Sequence, residues 1–230
     1  MQKFSTLTLI SALTFSGVSM AATSTDGFYI EALGGIAMGN TSALNSQEKD
    51  EISISSAVTS SDKSALWGAA IGYILPNLPL SLELQALRIN SQDFKMGTLY
   101  NDGYHEWDTL SVRSNVYLAN LIYALPAYQN FTPFFGAGIG VAQNKVAGNF
   151  ISTTEDEQGN WADNSKTQFA YDFTAGVNYQ FTPNLGISLA YQYLSLGKLN
   201  TQSTVGDVNQ TLFADKYTTN NVILGLNYTF

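Results

Sequence analysis

Cysteine is absent from the 230-residue chain. That excludes a disulfide scaffold and thiol chemistry, and leaves the redox compartment open. Charge is scarce: Asp, Glu, Lys and Arg make up 12% of the residues, against the roughly 25% of a soluble domain. The balance is acidic, with a net charge of −8, which argues against a nucleic-acid partner, since that needs a basic face. Long hydrophobic runs are also missing. Beyond residue 22 no segment reaches the ~18 uninterrupted apolar residues of a membrane helix. Low charge without a spanning helix suits a membrane protein whose apolar and polar residues alternate along the strands of a closed barrel.

What is present begins with a leader. MQKF, carrying Lys3, precedes the apolar run LTLISALTFSGV, and Ser19-Met20-Ala21 supplies the small residues of a cleavage site. The run is too short for a bilayer span, so residues 1–21 are assigned as a secretory signal peptide and residues 22–230 as one domain.

The rest of the chain repeats a two-residue period. At its end, NVILGLNYTF sets Val222, Leu224, Leu226, Tyr228 and Phe230 against Asn221, Gly225, Asn227 and Thr229. The same alternation recurs over residues 27–38, 64–75, 80–88, 110–125, 133–142, 168–181 and 185–194, which makes eight strands. In the fourth, Leu110, Val112, Val116, Leu118 and Ile122 define the apolar face, opposed by Ser111, Arg113, Asn115 and Tyr117. Asn120 falls on that apolar face, where only a bulge would accommodate it. The connections PNLP (76–79), PAYQNF (126–131) and TPN (182–184) are tight, with the Pro and Asn of turns. Those at 39–63, 93–108, 147–166 and 199–215 are long and polar. Strict alternation of short and long connections is the pattern of an antiparallel up-and-down transmembrane β-barrel with short periplasmic turns, four long extracellular loops and both ends in the periplasm.

Volume decides which face meets lipid. The bulky Phe, Tyr and Leu series of eight strands overfills a lumen that barely holds side chains, whereas Gly, Ala, Ser, Thr, Asn and Gln fit it. The aromatic face therefore looks at hydrocarbon. Phe28, Tyr73, Phe135, Tyr179, Phe181, Tyr228 and Phe230 are expected at the periplasmic rim, and Trp67, Phe169, Tyr171 and Tyr193 at the upper one.

Across the mature sequence the chain resembles the eight-stranded outer-membrane barrels of the opacity-protein and OmpA-type superfamily. The similarity is carried by GFYIEALGG (27–35) and FTPFFGAGIGVA (131–142). The terminal Phe230, with Tyr228, is similar to the signal read by the barrel-assembly machinery, which the resemblance implies as a partner. It also implies a Gram-negative outer membrane and a role in adhesion to host surface or matrix molecules; the residues themselves offer no credible catalytic set, so no enzymatic activity or cofactor is expected.

Strand phase points Glu31, Glu83, Arg113 and Asp172 into the lumen, where a lone charge does not persist unpaired. Their heights favour Arg113 with Asp172, and a Glu83 to Arg113 pair stays open. The set would act as a polar plug or as a charge gate. Lys63, Arg88 and Lys145 fall on the outward phase near the extracellular ends of their strands, within reach of lipopolysaccharide phosphates. The GAGIG run (136–140) lacks the helix and Lys-Ser/Thr of a phosphate loop, and is read as serving barrel curvature and giving room for Tyr29 or Tyr117. TTEDEQGNWADN (153–164) fails as a calcium loop, with Thr154 where an Asp is required. His105 stands near Asp102, Glu106 and Asp108 without a His-x-Ser arrangement, and is read as solvated loop chemistry rather than as a lipid-modifying or proteolytic centre. The expected function is an integral structural and surface-contact protein, with a narrow porin-like channel as the alternative.

Overall fold

In a computed structural model the described residues are 27–42, 45–47, 54–59, 61–99, 105–152, 158–200 and 211–230. Among them there is no helix. Eight long strands form the barrel: β1 Phe28–Thr41, β2 Ser61–Ile74, β3 Leu80–Leu99, β4 His105–Ala124, β5 Phe131–Ser152, β6 Gln158–Gln180, β7 Leu185–Ser195 and β8 Tyr217–Thr229. Each pairs antiparallel with its neighbours in sequence, and β8 returns to β1 with Tyr29 opposite Thr229 and Thr41 opposite Tyr217. The barrel is closed, so no sheet edge faces lipid. A short strand, Ile54–Thr59, pairs with the outer end of β3. Asn45–Gln47, Leu199–Asn200 and Thr211–Ala214 form a separate three-stranded sheet at the extracellular end.

The strands differ in length for a physical reason. An apolar band of about 25 Å is crossed by about ten tilted residues. β7 and β8 have 11 and 13 residues, but β3, β4, β5 and β6 have 20, 20, 22 and 23. Much of the sequence expected as loops at 93–108 and 147–166 is therefore strand, projecting beyond the bilayer.

Solvent then changes along the same strands. At membrane depth the outward side chains are apolar, with Phe135, Ile139, Phe169, Phe173, Leu224 and Leu226 all exposed. Above it the faces swap: Asp93, Lys95, Arg113, Gln143 and Lys145 point outward, while Phe94, Val112, Leu110 and Val146 are buried inside. Water has replaced lipid as the outer solvent, so the apolar residues turn inward, as in a soluble barrel. Leu66, Leu87, Val116, Leu194, Leu196, Leu199 and Tyr217 join them in one contiguous core. The upper interior is thus more apolar than the expected lining of small and polar residues.

The periplasmic aromatic rim is in place. Phe28 meets Tyr73 at 4.8 Å between ring centroids, Phe131 meets Tyr179 at 4.7 Å, and Tyr228 meets Phe230 at 5.2 Å. Tyr123 stacks on Phe135 at 5.3 Å. At the upper rim Tyr171 lies 6.5 Å from Phe169 and 6.4 Å from Tyr193.

Candidate functional site

The lower lumen is a cavity of about 570 Å³ that reaches the periplasmic turns and is walled in part by Tyr29, Glu31, Ser81, Glu83, Asn120 and Ser188. Most of its polar groups have partners. The Tyr29 hydroxyl donates to Glu83 Oε2 at 2.8 Å, and Asn120 Nδ2 donates to Glu83 Oε1 at 3.1 Å. Ser188 Oγ donates to Glu31 Oε1 at 2.5 Å. One layer higher, Gln192 Nε2 donates to Asp172 Oδ2 at 2.8 Å and to Gln85 Oε1 at 3.0 Å, and Asn221 Nδ2 donates to Gln192 Oε1 at 3.0 Å. These amides and hydroxyls take the place of counter-ions: the one ion pair among the described residues, Lys198 with Asp215, lies outside on the surface.

Three oxygens in this network have no donor among the described residues, Asn120 Oδ1, Asp172 Oδ1 and Asn221 Oδ1. The first two converge over Gly138, where a Cβ would overlap them. Gly138 stays bare to admit these two side chains. Tyr29 fits instead over Gly72, whose Cβ would collide with its ring; the 136–140 run gives room to neither Tyr29 nor Tyr117.

Of the expected lumen set, Glu31, Glu83 and Asp172 do point inward. Arg113 does not. It is exposed on the outer face, between the buried Val112 and Ser114, so neither Asp172 nor Glu83 pairs with it. The whole of β4 is turned over relative to expectation: Leu110, Val112, Val116 and Leu118 are buried inside, and Tyr117 is 55% exposed outside. Asn120 is consequently an inward residue bonded to Glu83, and the strand runs past it in continuous register without a bulge.

Lys63 and Lys145 are exposed, and Arg88 is half-buried, all on the outward face. The register brings Arg113 directly opposite Lys145 and Arg88 opposite Asn115. Arg88 Nη1 donates to Asn115 Oδ1 at 2.7 Å. Residues 1–26, with the assigned signal peptide, lie outside the described residues, as do Asp102 and the side chains of His105, Glu106, Asp108 and residues 153–163.

The family model for the outer membrane protein beta-barrel domain matches residues 6–230. The chain belongs to that family. This outer-membrane barrel is 30% identical over 224 residues to the outer membrane protein PagN of Salmonella typhimurium, covering 92% of the chain and 93% of PagN. It is 25% identical over 165 residues to a Rickettsia conorii protein named "Putative adhesin RC1281", covering 68% of the chain and 63% of that protein. Among solved structures, the outer membrane protein OprG of Pseudomonas aeruginosa superimposes with a TM-score of 0.53 at 14% identity, covering 89% of the chain and 97% of OprG, a likeness of fold. The barrel is accordingly a Gram-negative outer-membrane protein, with its long connections extracellular and its short turns periplasmic.

Proposed function

We propose that this barrel is a structural and surface-contact protein of adhesin type, whose extended extracellular end carries the contacts with host surface or matrix molecules. One observation carries this reading. Above the polar layer the bore is packed with buried aliphatics, among them Val112, Val116 and Leu194 at 0% exposure, so the surface available for function is the outside of the projecting β3–β6 wall and its loops. The adhesin name of the Rickettsia relative supports it. The reading is non-enzymatic. Binding of the parent strain, a deletion strain and a complemented strain to cultured epithelial cells and to immobilised matrix glycans tests it. The deletion should lower binding and complementation should restore it; equal binding by all three strains would remove the adhesive role.

The periplasmic cavity favours a second reading, a narrow channel for small solutes. Conductance of the purified barrel in planar bilayers separates the two. A closed bore gives no steady single-channel steps, whereas ion-selective steps in the parent protein would establish the channel.

A further inference from the structure

Four cations stand outward at the upper edge of the apolar band, Lys63 on β2, Arg88 on β3, Arg113 on β4 and Lys145 on β5. These are consecutive strands. On the other half of the barrel the positions of the same phase are Ser165 and Thr167 on β6, the buried Ser195 on β7, Asn220 and the buried Thr218 on β8 and Asn40 on β1, all uncharged, while the exposed Lys166 of β6 stands on the opposite phase, across from Asn144. The belt is therefore one-sided. Residues 113 and 123 are ten apart on β4, which sets Arg113 about 25 Å above the periplasmic rim, the depth at which the hydrocarbon ends and the outer-leaflet headgroups begin.

Within the belt the charges are held together rather than apart. Arg113 and Lys145 face each other directly across the ladder, a like-charge pair that is unfavourable when nothing lies between. Asn115, next below Arg113 on the same face, accepts from Arg88 and leans its guanidinium toward β4. The acid on this face is Asp93, one pair higher, opposite Ser111 and accepting its hydroxyl. Among the described residues no carboxylate pairs with any of the four cations.

We propose that Arg88, Arg113 and Lys145 form a binding site for the phosphates of an outer-leaflet lipid, with Lys63 extending it along the rim. A lipid carrying two phosphates suits the geometry best. Arg113 and Lys145 bracket one, and the free guanidinium nitrogens of Arg88 take the second, through charge-assisted hydrogen bonds. The acyl chains lie against the exposed Tyr117, Val141, Ile139 and Leu84 immediately below. The bound lipid relieves the repulsion that the fold itself imposes.

Native mass spectrometry of the full chain in detergent tests this, with bis-phosphorylated lipid A, its monophosphorylated form and phosphatidylethanolamine as probes. The parent should retain the bis-phosphorylated lipid over the other two. The variant R88Q/R113Q/K145Q should lose about tenfold in its retention, and the charge-matched K95Q/K198Q/K216Q should behave as the parent. Equal retention by parent and triple variant would overturn the site, and so would an equal loss in the charge-matched control. So too would a fall in heparin-fragment binding with lipid A retention unchanged, which would give the patch to sulfated glycans. If the triple variant fails the heat-shift assay for a folded barrel, Arg113→Gln alone and the parent's own preference decide: a parent that does not distinguish two phosphates from one has no such site.

Discussion

Asn120 Oδ1 and Asp172 Oδ1 face one another across Gly138 in the middle of the barrel, each buried and each without a donor. The other atoms of both side chains are satisfied, Asn120 Nδ2 by Glu83 and Asp172 Oδ2 by Gln192. Replacing Asp172 by Asn supplies an amide N–H at the empty contact and leaves an oxygen for Gln192. The expected outcome is a barrel as stable as the parent or more so, by about 1 kcal/mol. Urea midpoints in micelles, read by tryptophan fluorescence, measure it. A loss of stability would mean that a donor outside this network depends on the Asp172 carboxylate.

Gly138→Ala acts on the same contact with the opposite sign. Its methyl group would overlap both oxygens in a layer where neither side chain can swing into solvent. Overpacking of this kind costs about 1–3 kcal/mol. The same urea titration should show the loss, and Asn120→Ala in the Gly138→Ala background should recover part of it by vacating the overlapped space.

Tyr29→Phe removes one of the two donors holding Glu83 and leaves the ring packing over Gly72 intact. A hydrogen bond to a carboxylate contributes about 1.5–3 kcal/mol, and the Tyr29 hydroxyl is the donor to Oε2, while Asn120 serves Oε1. Destabilisation of that size is expected, together with no change in the rim aromatics seen by near-ultraviolet circular dichroism. A neutral result would show that water from the periplasmic cavity replaces the hydroxyl.

The architecture was legible because most strands have a single apolar face at membrane depth. In β5, for example, Phe135, Ile139 and Val141 alternate with Gly136, Gly138 and Gly140, and only one phase is possible. β4 gives no such choice. Its inner face carries Leu110, Val112, Val116 and Leu118 and its outer face Tyr117, Ala119, Leu121 and Tyr123, so the two-residue period fixes a strand without fixing which side is which. Asn120 held the missing information. An amide at the depth of the hydrocarbon must face the interior, where it finds a partner; setting the phase by that residue turns Arg113 outward and beside Lys145. The polar network was only half legible, because pairings such as Gln192 with Gln85 span the bore and depend on register across the whole barrel. The inward aliphatics of the projecting wall follow a change of outer solvent that no local pattern announces.

The absence of cysteine makes the phase of β4 directly measurable. Arg113→Cys places a thiol on an exposed outer position, whereas Val112→Cys places one at 0% exposure. With a membrane-impermeant maleimide on intact cells, Arg113→Cys should label within minutes and Val112→Cys should stay unlabelled until the barrel is boiled in detergent. The reverse pattern would restore the inward orientation of Arg113 and dissolve the outer cation belt with it.

Phe230 separates stability from assembly. Its backbone N–H donates to the Phe28 carbonyl at 3.0 Å, and its ring meets Tyr228 edge-on at 5.2 Å in the periplasmic rim. At 59% exposure the ring projects toward lipid, and alanine keeps the backbone bond. Phe230→Ala should therefore cost the refolded protein only about 1 kcal/mol in micelles, the scale of one aromatic contact. If the terminal ring is also what the assembly machinery reads, the folded fraction in outer-membrane preparations should fall far more than that energy accounts for. Gel mobility before and after boiling measures both quantities in parallel. A cellular loss no larger than the loss in micelles would leave Phe230 as a rim aromatic and nothing more, because the same side chain would then be acting through packing alone.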